Sequence, residues 1–124
     1  MKIYFDGACR PNPGAMRTAV VAGGRAWHRS NFGLGDCNDA EWLALLEALG
    51  VARSLGVTDA TLLGDSALVV NQAKGFVPCR AARFEARLAE FHTLAAGFAR
   101  LRVRRIKRSQ NLAGIALERI YGRL

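Results

Sequence analysis

The chain has 124 residues, 51% of them hydrophobic and 23% charged, a composition that predicts one folded domain over residues 1–124 and excludes a disordered chain. Its 18 lysines and arginines against 10 acidic residues give a formal net charge of +8 at pH 7, which favours a polyanionic partner. No apolar run reaches the ~18 residues of a membrane span, and a carboxylate at Asp6 is atypical of a signal peptide, so we expect neither a membrane protein nor a secreted one.

Three cysteines, Cys9, Cys37 and Cys79, form no CxxC pair and have no histidine at ligand spacing. The odd count argues against a disulfide framework, and the spacing argues against a zinc site. A reducing, cytoplasmic location is therefore expected. The chain shows no heptad and no extra apolar stripe, so we expect a monomer.

Hydrophobic spacing and turn residues predict nine elements in the order βββαβααβα. Three strands in hairpin sequence come first, and helices then separate two further strands. The predicted strands are residues 2–6, 18–23, 25–32, 60–64 and 101–106. The predicted helices are residues 38–54, with Asn38 as N-cap, then 66–73, 80–100 and 111–124. This order predicts an α/β protein with a mixed five-stranded sheet and helices on its faces.

Three carboxylates occupy comparable places in this predicted fold. Asp6 and Asp65 each end a strand beside a glycine, and Glu41 lies in the first turn of the helix between them. Singly, each has a structural explanation: Asp6 as a turn residue, Glu41 as half of a capping box with Asn38, and Asp65 as an N-cap. Together, and in a basic protein, they favour a site for a hard divalent ion such as Mg²⁺, because converging carboxylates repel unless a cation lies between them.

Three segments of the chain resemble, in order, the motifs of the ribonuclease H type 1 family. The first runs from IYFDGAC to NPG within residues 3–14, the second is NDAE at 38–41, and the third is LLGDS at 62–66. The resemblance spans nearly the whole chain and implies the ribonuclease H-like fold, in agreement with the predicted element order. It also implies hydrolysis of the RNA strand of RNA/DNA hybrids, with Asp6, Glu41 and Asp65 holding two Mg²⁺ (or Mn²⁺) ions.

The same resemblance assigns substrate contacts. Asn12 and Asn38 match positions that touch the minor groove of the hybrid, where amides can read 2′-hydroxyls, and Cys9 matches a neighbouring contact. The run of six cations between Arg100 and Arg108, which includes Arg104 and Arg105, is expected to meet phosphates. The alternatives are a turn residue for Asn12, an N-cap for Asn38 and a solvated strand edge for the arginines.

The chain departs from the family at its last helix. A fourth acid is expected there, and the aligned residue is Gly114, although the spacing from Asn111 is one residue short. Glu118, one helical turn further on, is a candidate replacement ligand. The family's mobile-loop histidine and its basic protrusion have no counterpart.

These departures leave two further hypotheses beside an enzyme weakened by the loss of one acid. One is a non-catalytic module that binds hybrid or double-stranded nucleic acid. The other is an interaction domain whose basic face docks an acidic protein.

Overall fold

The computed structural model describes residues 1–122, and this part of the chain forms six strands and four helices. The strands are β1 (Lys2–Arg10), β2 (Gly14–Ala22), β3 (Arg25–Arg29), β4 (Leu34–Gly35), β5 (Asp59–Gly64) and β6 (Arg100–Arg105). The helices are α1 (Cys37–Ser54), α2 (Ala67–Ala73), α3 (Ala82–Ala95) and α4 (Leu112–Tyr121), with a 3-10 turn at Arg108–Gln110 before the last. No described helix is both long and apolar enough to cross a bilayer.

The strands form one mixed sheet, as predicted, and their order in it is β3-β2-β1-β5-β6. β1, β2 and β3 are antiparallel neighbours, whereas β1, β5 and β6 run parallel. The two-residue strand β4 pairs with the start of β2 and lies between the third predicted strand and the first predicted helix, where the sequence predicts no element. The five longer strands therefore confirm the predicted sheet, and β4 is a small addition at its edge.

The main core lies between the sheet and α1. Trp42, Leu45 and Leu49 on one face of α1 are fully buried, as are Ile3 and Phe5 on the facing side of β1. Burying each such side chain contributes about 1.5–3 kcal/mol. Helix α4 covers the opposite face of the sheet, towards which the alternate residues of β1 and β2 point.

The core beneath α4 is smaller. Ala113 and Leu117 of that helix pack against Ala8 and Ala19. Small residues on the strands therefore let α4 approach the sheet closely over β1 and β2.

Several element boundaries differ from the prediction. β1 continues to Arg10, so Asp6 is inside the strand and not at its end, because β2 pairs with β1 along this whole length. β3 ends at Arg29, whereas the prediction extended it to residue 32. α3 ends at Ala95, because Gly97 follows and Phe98 packs against the core from the turn.

The N-cap of α1 is Asp36, not Asn38. Its carboxylate accepts the Asp39 N–H at 2.9 Å, and the Asp39 carboxylate accepts the Asp36 N–H at 3.0 Å, which completes a capping box. The hydrogen bond from the Asp39 N–H to the Asp36 carboxylate holds the pKa of Asp36 below its usual range. Glu41 is therefore not part of the cap and is available for another role. At the other end of the chain, α4 stops at Tyr121, and the last two residues of the predicted helix lie outside the described residues.

Candidate active site

The register of the parallel strands brings the two aspartates together. Tyr4 of β1 lies opposite Leu63 of β5, and extending this register by two residues places Asp6 beside Asp65. β5 ends at Gly64, whereas β1 continues as a partner of β2. The two carboxylates therefore meet where the parallel pairing stops, which is the edge at which α/β sheets bind ligands.

Glu41 reaches the same place because α1 touches β1 at Gly7. A Cβ atom at Gly7 would lie 2.1 Å from the carbonyl oxygen of Ala40, so only glycine permits this approach. The Gly7 N–H then donates to Oε1 of Glu41 at 2.9 Å. The helix and strand thereby fix the glutamate over the strand that carries Asp6.

The three carboxylates form one compact cluster. Asp6, Glu41 and Asp65 each offer an oxygen within 4.8 Å of the other two, and among the described residues they form the one such group. Asp6 is 0% exposed and Glu41 is 7% exposed. The structure thus brings the predicted triad together, although Asp6 lies inside β1 and not at its end as predicted.

Burial perturbs two of these acids. It raises the pKa of Asp6 and raises the pKa of Glu41 well above its usual range, with the charge of Asp6 adding to the effect on Glu41. Oδ2 of Asp6 and Oε2 of Glu41 are buried without a hydrogen-bond partner in the described part of the chain. Buried, unpartnered carboxylate oxygens that converge are a suitable donor set for a hard divalent cation.

Asn111 positions Asp65. This fully buried side chain donates to Oδ2 of Asp65 at 2.8 Å and to the Phe5 carbonyl at 3.0 Å. Its own oxygen accepts the Ala113 N–H and caps α4. One asparagine therefore ties the start of α4 to both strands of the site, a role that the sequence analysis did not assign.

Arg108 is the second residue that the sequence analysis missed. Its Nη1 donates to Asp6 at 2.8 Å and to Asp65 at 3.1 Å. Burial alone would lower the pKa of the guanidinium, but the two aspartates outweigh it and raise that pKa. The arginine was expected to meet phosphate as part of a basic run; instead it neutralises two of the three carboxylates.

The space above Gly114 is filled by the same arginine. A Cβ atom at Gly114 would lie 3.0 Å from Nη1 and 3.1 Å from Cζ of Arg108. Glu118 lies on the outer side of the guanidinium, with Oε1 3.7 Å from Nη2. The missing fourth acid is thus accompanied by a cation in the cluster, and Glu118 faces that cation.

Cys9, near the end of β1, lies beside Asn12 in the turn that follows the strand. Oδ1 of Asn12 accepts the Cys37 N–H at 3.2 Å and the Cys9 thiol at 3.4 Å. The two sulfur atoms, Sγ of Cys9 and Sγ of Cys37, are 3.6 Å apart, and burial raises the pKa of Cys9 to about 11. Asn38, the second residue of α1, is partly exposed near this cluster.

The predicted arginines lie on β6. Arg104 is exposed, and Nε of Arg105 donates to the backbone carbonyl of Asp65 at 3.4 Å. Arg105 is therefore adjacent to the carboxylate cluster, on the side away from Asn12.

Comparison with known proteins agrees with this geometry. A family profile described as Reverse transcriptase-like matches residues 5–117. The crystal structure of RNase H1 from the halophilic archaeon Halobacterium salinarum NRC-1 superposes with a TM-score of 0.85 at 30% identity, over 94% of this chain and 92% of that one. The chain belongs to the ribonuclease H type 1 family. Its similarity to the LC11-RNase H1 structure in complex with RNA/DNA hybrid, at a TM-score of 0.80 and 22% identity over 94% of this chain and 91% of that one, concerns the fold alone.

The curated relatives match a shorter segment of this chain. Ribonuclease HI of Halobacterium salinarum is 42% identical over 77 residues, which is 58% of this chain and 39% of that protein. The chain spans about two fifths of the length of the curated relatives that it matches.

Proposed function

We propose that this ribonuclease H family member is a divalent-metal-dependent endonuclease that hydrolyses the RNA strand of RNA/DNA hybrids. The observation that carries the proposal is the carboxylate cluster, with ligand oxygens within 4.8 Å of one another at the edge where β1 and β5 part. Two of its oxygens are buried and unpartnered in the described residues, so a cation would satisfy them.

In this proposal Asp6, Glu41 and Asp65 hold two Mg²⁺ or Mn²⁺ ions when substrate is bound. Such ions supply an activated water and neutralise charge on a phosphodiester. Gly7 and Asn111 act as positioning residues, since the first lets α1 approach β1 and the second holds Asp65.

The substrate contacts follow from the two sides of the cluster. Asn12, Asn38 and Cys9 lie on the α1 side and suit the minor groove of a hybrid, where amides can bind 2′-hydroxyls. Arg104 and Arg105 lie on the β6 side and suit phosphates. Glu118 remains a candidate metal ligand. Its carboxylate now faces Arg108, so it would have to leave that arginine in order to bind the ion.

We also propose that residues 1–124 form one domain, and that the chain acts as a monomer in the cytoplasm. Cys9, Cys37 and Cys79 are free thiols in the structure, which suits a reducing compartment.

A second candidate function is a hybrid-binding module without catalysis. The observation in its favour is Arg108, which lies over Gly114 and neutralises Asp6 and Asp65 without a metal. An internal cation of this kind would stabilise the folded protein, with its buried carboxylates, after catalytic activity has been lost.

Cleavage of an end-labelled RNA/DNA hybrid across Mg²⁺ and Mn²⁺ titrations separates the two candidates. We expect the wild-type chain to cut the RNA strand and Asp65→Asn to bind the hybrid without cutting it. Asp59→Asn, an exposed aspartate outside the cluster, is the matched control and should cut like the wild type. Hybrid binding without cleavage under either ion would instead identify the chain as the binding module.

A further inference from the structure

A second concave surface lies on the sheet beside α4. That helix packs on β1, β2 and β3, and a cavity of about 620 Å³ opens on the same face across β1, β5 and β6. The strand register arranges its floor in two rows. We call this surface the β6 groove, formed by the row Lys2, Thr61 and Arg102 and the row Tyr4, Leu63 and Arg104.

The β6 groove is cationic. Lys2, Arg102 and Arg104 project from it, and no acidic residue lines it in the described part of the chain. Arg102 has an acidic neighbour outside the groove, Asp59, whose Oδ1 lies 3.9 Å from Nη1 of Arg102. Arg102 is also oriented by its hydrogen bond to Thr61 at 3.3 Å. These charges favour an anionic ligand such as a phosphodiester backbone.

Two aromatic side chains border these cations, one inside the groove and one on the other side of the arginines. Phe76 is 71% exposed and lines a smaller cavity with Lys74 and the other side of Arg102 and Arg104. Lys74 lies over its ring, with Nζ 5.1 Å from the centroid. Tyr4 contributes a half-buried ring to the β6 groove itself. Exposed rings between cations can stack on nucleobases, but only on unpaired ones, because duplex bases are already stacked on each other.

We propose that the β6 groove and Phe76 bind a single-stranded nucleic acid. The groove continues along Arg105 and Gln110 towards the loop of Arg108, and Arg105 contacts the backbone of Asp65. The strand bound there is thus the unpaired end that flanks a hybrid at the carboxylate cluster. The identity of that strand rests on the proposed function. Binding of a single strand to the groove can be measured independently of that function.

Fluorescence anisotropy with a labelled oligothymidylate of about 15 nucleotides tests the inference, since this probe contains no RNA and no duplex. We expect the double variant Lys2→Gln/Arg102→Gln to reduce the slope of log K against log salt concentration by about 1.4. This is the value for two lost phosphate contacts on a single strand. We expect Phe76→Ala to weaken binding at least about fivefold through lost stacking.

The matched control is Arg25→Gln/Arg53→Gln, which removes the same charge from exposed positions on β3 and α1. It should bind the oligothymidylate like the wild type. Equal weakening by this control, or full affinity in Phe76→Ala, would overturn the inference in favour of diffuse charge attraction. Thermal unfolding of each variant establishes that it is folded.

The wild-type chain separates this inference from the proposed function. Oligothymidylate binding with the expected variant pattern but no hybrid cleavage would uphold the groove and refute the nuclease. Hybrid cleavage without oligothymidylate binding would uphold the nuclease and refute the groove.

Discussion

The guanidinium of Arg108 and a divalent cation would bind the same carboxylate oxygens. Nη1 of Arg108 lies 2.8 Å from Asp6, which is fully buried, and 3.1 Å from Asp65. The arginine side chain itself is 46% exposed, so it can swing away from the cluster into solvent. Metal binding and this ion pair therefore compete.

Replacing Arg108 by glutamine should tighten metal binding and destabilise the metal-free protein. We expect Mn²⁺ affinity to rise roughly fivefold or more, a usual size for coupling between two binding events. We expect the free energy of unfolding in EDTA to fall by about 1–2 kcal/mol, because buried Asp6 loses a charged hydrogen bond. Calorimetric titration and urea unfolding measure the two effects.

Arg87→Gln is the control for this substitution, because Arg87 pairs with Glu90 on an exposed helix face. It should change neither quantity appreciably. Unchanged Mn²⁺ affinity in Arg108→Gln would show that guanidinium and ion do not share the oxygens.

Glu41 should make the metal-free protein less stable as the pH rises. Because its pKa is raised in the folded state, the folded protein binds more protons than the unfolded chain above pH 4.5. Stability is therefore lost as the pH climbs through the folded pKa. Glu41→Gln can keep the Gly7 hydrogen bond without the charge, and should flatten this pH dependence and stabilise the metal-free protein at neutral pH by roughly 0.5–2 kcal/mol.

Urea unfolding in EDTA at a series of pH values measures this effect, with Glu47→Gln as the partly exposed control on the same helix. If the free energy of unfolding changes equally with pH in the wild type and in Glu41→Gln, Glu41 is not the source of the pH dependence.

The acids of the site could be predicted from the sequence, whereas the residues that contact them could not. Asp6, Glu41 and Asp65 each lie beside a glycine or a helix start within a short motif. Arg108 contacts Asp6 across 102 residues of sequence, so its role depends on the path of the loop before α4. Asn111 reads in the sequence only as the first residue of the last predicted helix.

Among the elements, α1 is held at its start by Asp36. Asp36→Ala removes the cap and should lower the free energy of unfolding by about 1–2 kcal/mol. Asn38→Ala lies inside the helix and should change it by less than about 0.5 kcal/mol, while weakening hybrid binding. Urea unfolding of both variants distinguishes the observed cap from the predicted one, since the predicted cap requires the opposite order.

The contact between β1 and α1 depends on Gly7. Gly7→Ala would place a methyl group against the backbone of Ala40, and we expect the free energy of unfolding to fall by about 3 kcal/mol. Gly50 is the control, since a Cβ atom there meets nothing within 4 Å. Gly50→Ala should stabilise α1 by about 0.4–1 kcal/mol. Thermal unfolding of the two variants compares these effects. Similar effects of both substitutions would contradict the close approach of α1 to β1 at Gly7.

Element types could be predicted because periodicity determines them. The ends of elements could not, since tertiary contacts decide them. β1 extends past Asp6 because β2 continues to pair with it, and α3 stops before Phe98 because that ring packs into the core from a turn. The error for Asn38 arose because Asp36 and Asn38 both suit an N-cap and only the loop path selects between them.

For the whole molecule, the net charge of +8 predicts a strong salt dependence of hybrid binding. If about six phosphates are neutralised, affinity should fall about a thousandfold between about 50 and 200 mM salt. Anisotropy with hybrid and with duplex DNA at several salt concentrations measures this. Equal affinity for both duplexes at every salt would favour the basic face as a docking surface for any polyanion, including an acidic protein.

The sheet ends at β6, whose outer edge pairs with no other described strand. A free strand edge invites the same strand of another molecule, the usual beginning of aggregation. β6 has the sequence RLRVRR, and its arginines would face one another across such a pairing and repel. The side chains that attract phosphate therefore also keep copies of the protein apart, so that removing many of them at once would cost solubility before it cost the fold.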